Sequence, residues 1–106
     1  MIIGKQFGMN QVTATELKQW IKEGRQFLLV DIREDWEREA YSLGGLHIPM
    51  GSLIACLNEI PKDVDVVMYC EKGIRSVLAI QRLETFGLHN LFNLSGGVSA
   101  WKRSEQ

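Results

Sequence analysis

The sequence predicts an α/β fold, a parallel sheet with helices on both of its faces, and three observations carry that prediction. Three short runs are almost continuously apolar: Phe27–Ile32, interrupted by Asp31; Val64–Tyr69, interrupted by Asp65; and Leu91–Leu94. Runs without polar alternation suit strands buried on both faces, as in a parallel sheet. Segments of helical periodicity lie between them. Strands that alternate with helices are joined by right-handed crossovers, which lay the helices on both sides of the sheet.

In chain order, Met1–Gly8 has a short apolar start but lacks the longer apolar stretch and small-residue cleavage site of a signal peptide. Residues 1–10 read as an N-terminal tail and residues 11–106 as a single domain, since no repeat, low-complexity tract or linker divides them. Thr13-Ala14-Thr15-Glu16 matches a capping box, in which Thr13 and Glu16 satisfy each other's free amides at a helix start. Leu17, Trp20 and Ile21 then share a helical face, and Gly24 suits the helix end. Asp35 is the expected cap of a short helix through Tyr41. Ser52 is the expected cap of another through about Leu57, with Leu53, Ile54 and Leu57 on one face. From Arg75 to Phe86, the residues Val77, Ile80, Leu83 and Phe86 form one stripe, with Ala79 beside it.

Composition narrows the function. A chain of 106 residues with 45% hydrophobic content can build one small core and is too short for two. A formal net charge of −1 gives no reason to expect nucleic acid or a membrane as a general partner. The apolar runs are too short to span a bilayer. Two cysteines are too few for a disulfide framework and fit a reducing compartment, so a cytoplasmic location is expected. Two histidines and two cysteines without close spacing predict no metal site.

In parallel sheets, ligands bind beyond the carboxyl ends of the strands. That rule selects the residues after Ile32 and after Tyr69. The second place holds Cys70-Glu71-Lys72-Gly73-Ile74-Arg75-Ser76, between a strand and a helix. A tight turn with Gly73 in it aims several backbone N–H groups at a common centre, and the next helix adds the positive end of its dipole. That setting favours negative charge on the Cys70 sulfur, and the thiolate is the nucleophile.

On these residues the sequence resembles the rhodanese family. The resemblance rests on Leu28-Leu29-Val30-Asp31-Ile32-Arg33-Glu34, on His47-Ile48-Pro49, on Val67-Met68-Tyr69 running into the cysteine loop, and on Leu94-Ser95-Gly96-Gly97-Val98-Ser99-Ala100-Trp101. Its wording is similar to the rhodanese domain at the C-terminus of adenylyltransferases that activate sulfur-carrier proteins. The resemblance implies a three-layer fold with a five-stranded parallel sheet. It also implies a ping-pong sulfurtransferase that moves a sulfane sulfur from thiosulfate or a persulfide to an acceptor thiol, or to cyanide in vitro. Cys70 falls on the persulfide-carrying position, and Glu71, Lys72, Gly73, Ile74 and Arg75 on the loop that holds substrate and persulfide, with Lys72 and Arg75 guiding anionic donors. The implied partners are a small-molecule or protein sulfur donor and a thiol acceptor, a sulfur-carrier protein among them, with no cofactor. A binding or regulatory module with little turnover is the alternative.

Loop length separates chemistries on this fold. Four residues lie between Cys70 and Arg75, the spacing seen in sulfurtransferases. The related phosphatases place five there to wrap a phosphate, and a smaller ring suits a single sulfur atom. Tyr69 precedes the cysteine, where tyrosine phosphatases commonly have histidine. Glu71 departs from the family pattern. If its carboxylate faces the loop opening, it opposes the thiolate and repels thiosulfate; if it faces solvent, it matters little.

The remaining candidates read as structural. Asp31 ends a buried strand, where a carboxylate needs a partner. The resemblance makes Asp31 and Arg33 architectural supports near the site mouth and gives His47 a structural role. His89 reads as an exposed turn residue, Cys56 as a core filler beside Leu53, Ile54 and Leu57, and Trp101 as packing for the last helix. Trp36 is expected near the cleft.

Overall fold

The computed structural model describes residues 9–105; the expected tail, apart from Met9 and Asn10, lies outside them. Among the described residues, five strands form one parallel sheet: β1 (Asn10–Val12), β2 (Leu28–Asp31), β3 (Leu46–His47), β4 (Val66–Tyr69) and β5 (Leu91–Leu94). Their order across the sheet is β1-β5-β4-β2-β3. Three helices lie between strands, α1 (Ala14–Glu23), α2 (Asp35–Ala40) and α3 (Ile74–Glu84), and a fourth, α4 (Gly97–Arg103), follows β5. None of these is long and apolar enough to cross a membrane.

Strand β4 is buried along its whole length, as its unbroken apolar run requires. Its residues alternate between two cores. Val66, Met68 and then Cys70 face a core with Ala79, Ile80 and Leu83 of α3, while Val67 and Tyr69 face one with Leu17 of α1 and Val98 of α4. These are the three layers that the sequence predicts.

The Thr13 capping box forms: Glu16 N–H donates to Thr13 Oγ1 at 3.0 Å, and Thr13 N–H to Glu16 Oε1 at 2.8 Å. Gly24 closes α1 in the left-handed region with φ 73°. Other expectations need correction. Strands β1 and β3 are absent from the sequence reading because two or three edge residues are too few to show a period. Ile21 is exposed on α1, since Ala14 and Leu17 supply the buried face. Glu34, not Asp35, is the residue before the first turn of α2, and its N–H donates to Glu37 Oε1 at 3.0 Å.

The expected helix from Ser52 to Leu57 is instead a pair of 3-10 turns, Met50–Ser52 and Leu57–Glu59. So short a segment gains little from helix formation, whereas tight turns bury Leu53 and Ile60 and leave Ile54 outside. Helix α3 ends at Glu84, before Phe86, which is exposed. Its buried face is Ser76, Ala79, Ile80 and Leu83, so the inward stripe begins on a polar residue beneath Cys70.

Candidate active site

Cys70 follows β4 directly and is buried, its side chain turned toward the start of α3. Gly73 makes the turn in the left-handed region with φ 84°, where a Cβ would lie 2.8 Å from the Gly96 nitrogen. The turn brings three groups to the sulfur. Gly73 N–H donates to Cys70 Sγ at 3.2 Å and Ser76 N–H at 3.3 Å, while Ser76 Oγ lies 3.4 Å away. Above the sulfur is a pocket of about 300 Å³ lined by Cys70, Glu71, Lys72, Ile74, Arg75 and, from α2, Glu37.

The loop is fastened on both sides. Val98 N–H donates to the Cys70 carbonyl at 3.0 Å and Ser99 N–H to the Glu71 carbonyl at 2.9 Å. This approach is so close that a Cβ on Gly97 would fall 2.2 Å from the Cys70 oxygen. On the other side Arg75 gives both terminal nitrogens to Glu37, at 2.9 and 2.7 Å. The Arg75 hydrogen bonds hold the Glu37 carboxyl down at about 2, and the same bonds raise the Arg75 guanidinium. Arg75 is therefore paired with Glu37 while it lines the pocket.

Glu71 stands at the loop opening, half-buried and tied on one side. It lines the pocket, but its carboxylate accepts from Arg33 Nη1 at 3.3 Å and from Ser99 Oγ at 3.3 Å. Arg33 is 1% exposed and answers the buried Asp31 with two bonds of 3.0 Å, then donates to the Tyr41 carbonyl at 2.6 Å. Burial opposes its charge, but the Asp31 contacts outweigh that and hold the guanidinium above its ordinary value. His47 Nε2 lies 2.8 Å from the Arg33 carbonyl. Asp31, Arg33, His47 and Glu71 thus form one polar support under the pocket rim.

The outlying candidates sit apart. Cys56 is half-buried beside the α3 core, where burial and then Glu59 push its thiol up. His89 is exposed, and Trp101 packs against the α1 side of the sheet. Trp36 is 72% exposed and does not line the pocket, although its neighbour Glu37 does. Sequence reasoning misses Glu37, Asn93, Ser99 and the close approach of Gly97. Only the Gly96-Gly97 pair signals that two backbones meet there.

The sheet order and the cysteine loop together define a small α/β domain built around a strand-to-helix turn. The rhodanese-like domain model matches residues 13–104, and the chain belongs to that family. It is 38% identical over 96 residues to a protein of Allochromatium vinosum named "Sulfurtransferase", covering 90% of each chain. It is 32% identical over 98 residues to the Mycobacterium tuberculosis protein named "Probable adenylyltransferase/sulfurtransferase MoeZ". That match takes in 90% of this chain and 25% of the relative, so the chain spans a quarter of that protein's length. The crystal structure of a rhodanese-like domain protein from Staphylococcus aureus superimposes with a TM-score of 0.81 at 32% identity, covering 88% of this chain and 91% of the other.

Proposed function

We propose that this chain is a sulfurtransferase that carries sulfane sulfur as a persulfide on Cys70. The observation that carries the proposal is the pair of N–H groups, from Gly73 and Ser76, converging on Sγ at the floor of an open pocket. Such donors hold negative charge on sulfur without needing to reorganise during the reaction. With thiosulfate, the Cys70 thiolate attacks the outer sulfur, a new S–S bond forms, and sulfite leaves with the electrons of the broken bond. The persulfide then gives its outer sulfur to an acceptor thiolate, and the Cys70 thiolate is restored. The first turn of α3 leaves the N–H groups of Ile74 and Arg75 without partners inside the helix, and these suit the anionic outer sulfur.

Arg75 is paired with Glu37 and Glu71 with Arg33, which leaves Lys72 as the cation of the lining that can meet an anionic donor. Intact mass spectrometry after incubation with thiosulfate or with glutathione persulfide tests the proposal. One sulfur atom should be added, and it should be lost on exposure to cyanide or a thiol. A chain that takes no sulfur from either donor would instead favour a binding or regulatory module.

A further inference from the structure

Asn93 lies one strand away from Cys70, in register with Met68 of β4 and Gln11 of β1, and is buried. The neighbouring Gly73 carbonyl orients the Asn93 amide. Nδ2 lies 3.4 Å from the Gly73 carbonyl and 3.0 Å from Gln11 Oε1. A backbone carbonyl can only accept, so the nitrogen faces Gly73 and the oxygen faces the other way, toward Ser76. Ser76 donates its hydroxyl proton to that oxygen, Asn93 Oδ1.

A hydroxyl has one proton. With it given to Asn93, Ser76 Oγ presents lone pairs to Cys70 Sγ at 3.4 Å. A Cys70 thiol can donate its S–H into them. A bare thiolate meets them as lone pair against charge, and draws the hydroxyl proton over only by leaving Asn93 Oδ1 buried without that donor. A persulfide avoids the conflict, because its charge sits on the outer sulfur and Sγ, bonded to two atoms, is neutral.

We infer that Asn93 is a positioning residue which, by claiming the Ser76 proton, disfavours the bare Cys70 thiolate relative to the thiol and the persulfide. In the exchange of thiolate plus thiosulfate for persulfide plus sulfite, this tilts the balance toward the loaded protein. The inference rests on the reading of Cys70 as the sulfur carrier. The charged groups around the sulfur are Glu71, Lys72 and Arg75 of the loop and Glu37 of α2, with the Asp31–Arg33 pair reaching the rim through Glu71. From β5, the turn after it and β1 come the neutral Asn93, Ser95 and Gln11, and from the face of α3 beneath the sulfur comes Ser76. Substituting Asn93 by a neutral residue therefore frees the Ser76 proton without changing any charge.

The test uses the full chain with Cys56→Ser as background, so that iodoacetamide reports on Cys70 alone by intact mass across a pH series. Asn93→Leu, and Asn93→Ala as the variant that cannot overpack, should move the alkylation profile to lower pH. The rate on its rising limb should increase by about three- to tenfold. At a pH where the unloaded cysteine is ionised, and at a fixed ratio of thiosulfate to sulfite, the ratio of persulfide to thiolate should fall by a similar factor. Ser76→Ala, the variant least disruptive to the fold, should leave the profile in place or move it to lower pH, and should abolish any further effect of Asn93→Leu. A Ser76→Ala profile displaced to higher pH would show that the hydroxyl donates to the sulfur and would overturn the inference, as would an Asn93 effect that survives in the Ser76→Ala background. Alkylation needs only the thiol, so a chain that takes up no sulfur defeats the proposed function while this readout still decides the role of Asn93.

Discussion

Glu37 and Arg75 are joined by two hydrogen bonds, so that α2, which follows β2, holds the first turn of α3 in place at the end of the cysteine loop. Folding lowers the Glu37 pKa from the ordinary 4.5 to about 2, chiefly through Arg75. A depressed carboxyl contributes stability that is complete above its unfolded value and is lost as the pH falls through the folded one. The contribution should therefore be whole at neutral pH and should fade between 4.5 and about 2. Arg75 is partly open to solvent, so after discounting for screening Glu37→Gln should cost about 1–2 kcal/mol at neutral pH. Urea denaturation at neutral pH and near the acid end of that window checks this, and the two proteins should converge in acid.

Cys70→Ser should abolish sulfur uptake with little change in thermal unfolding, because serine is close in shape and cannot hold a persulfide. Cys56→Ser should retain uptake, since Cys56 lies outside the pocket lining. Mass spectrometry of the two variants after thiosulfate treatment separates them. The reverse pattern would mean that the wrong cysteine has been assigned.

Charge reversal at Glu71 should not accelerate thiosulfate turnover, because the carboxylate is already answered by Arg33 and Ser99. Glu71→Gln should change the thiosulfate rate by less than about threefold, the scale of a screened and compensated charge. Glu71→Arg sets a second cation beside the buried Arg33 and should lower stability by about 1–2 kcal/mol. Steady-state kinetics at low salt together with thermal melts test both. A several-fold gain in rate for Glu71→Arg would show that the carboxylate faces the donor after all.

Two glycines with positive φ, 73° at Gly24 and 57° at Gly97, should respond very differently to alanine. At Gly24 no atom lies within 4 Å of an added Cβ, so the cost is that of a left-handed conformation, about 1 kcal/mol. At Gly97 the added atom meets the Cys70 oxygen at 2.2 Å, and Gly97→Ala should cost about 3 kcal/mol or more and distort the loop. Thermal unfolding of the two variants, with sulfur uptake by Gly97→Ala, is the measurement.

The parts of this architecture that the sequence makes legible are those written in consecutive residues. The β4 run announces a doubly buried strand, and Thr13 to Glu16 announce a helix start. The loop from Cys70 to Ser76 announces itself by following one and preceding another. What stays hidden depends on the third dimension. Glu37 lies 38 residues from Arg75 in the chain, and nothing local marks it as that residue's counter-ion. The orientation of Glu71 depends on Arg33, which the resemblance places near the mouth but does not aim. The inward stripe of α3 was offset because Ser76, polar and ignored by a hydrophobic count, occupies its first buried position.

The backbone bonds from Val98 and Ser99 to the carbonyls of Cys70 and Glu71 have a consequence for the order of events during synthesis. Chains emerge N-terminus first. The strand carrying Cys70 is made well before the segment that fixes the curvature of its loop. Until Gly97–Arg103 docks, the carbonyls of Cys70 and Glu71 lack these two backbone donors, so the shape of the loop is completed only after α4 has been made.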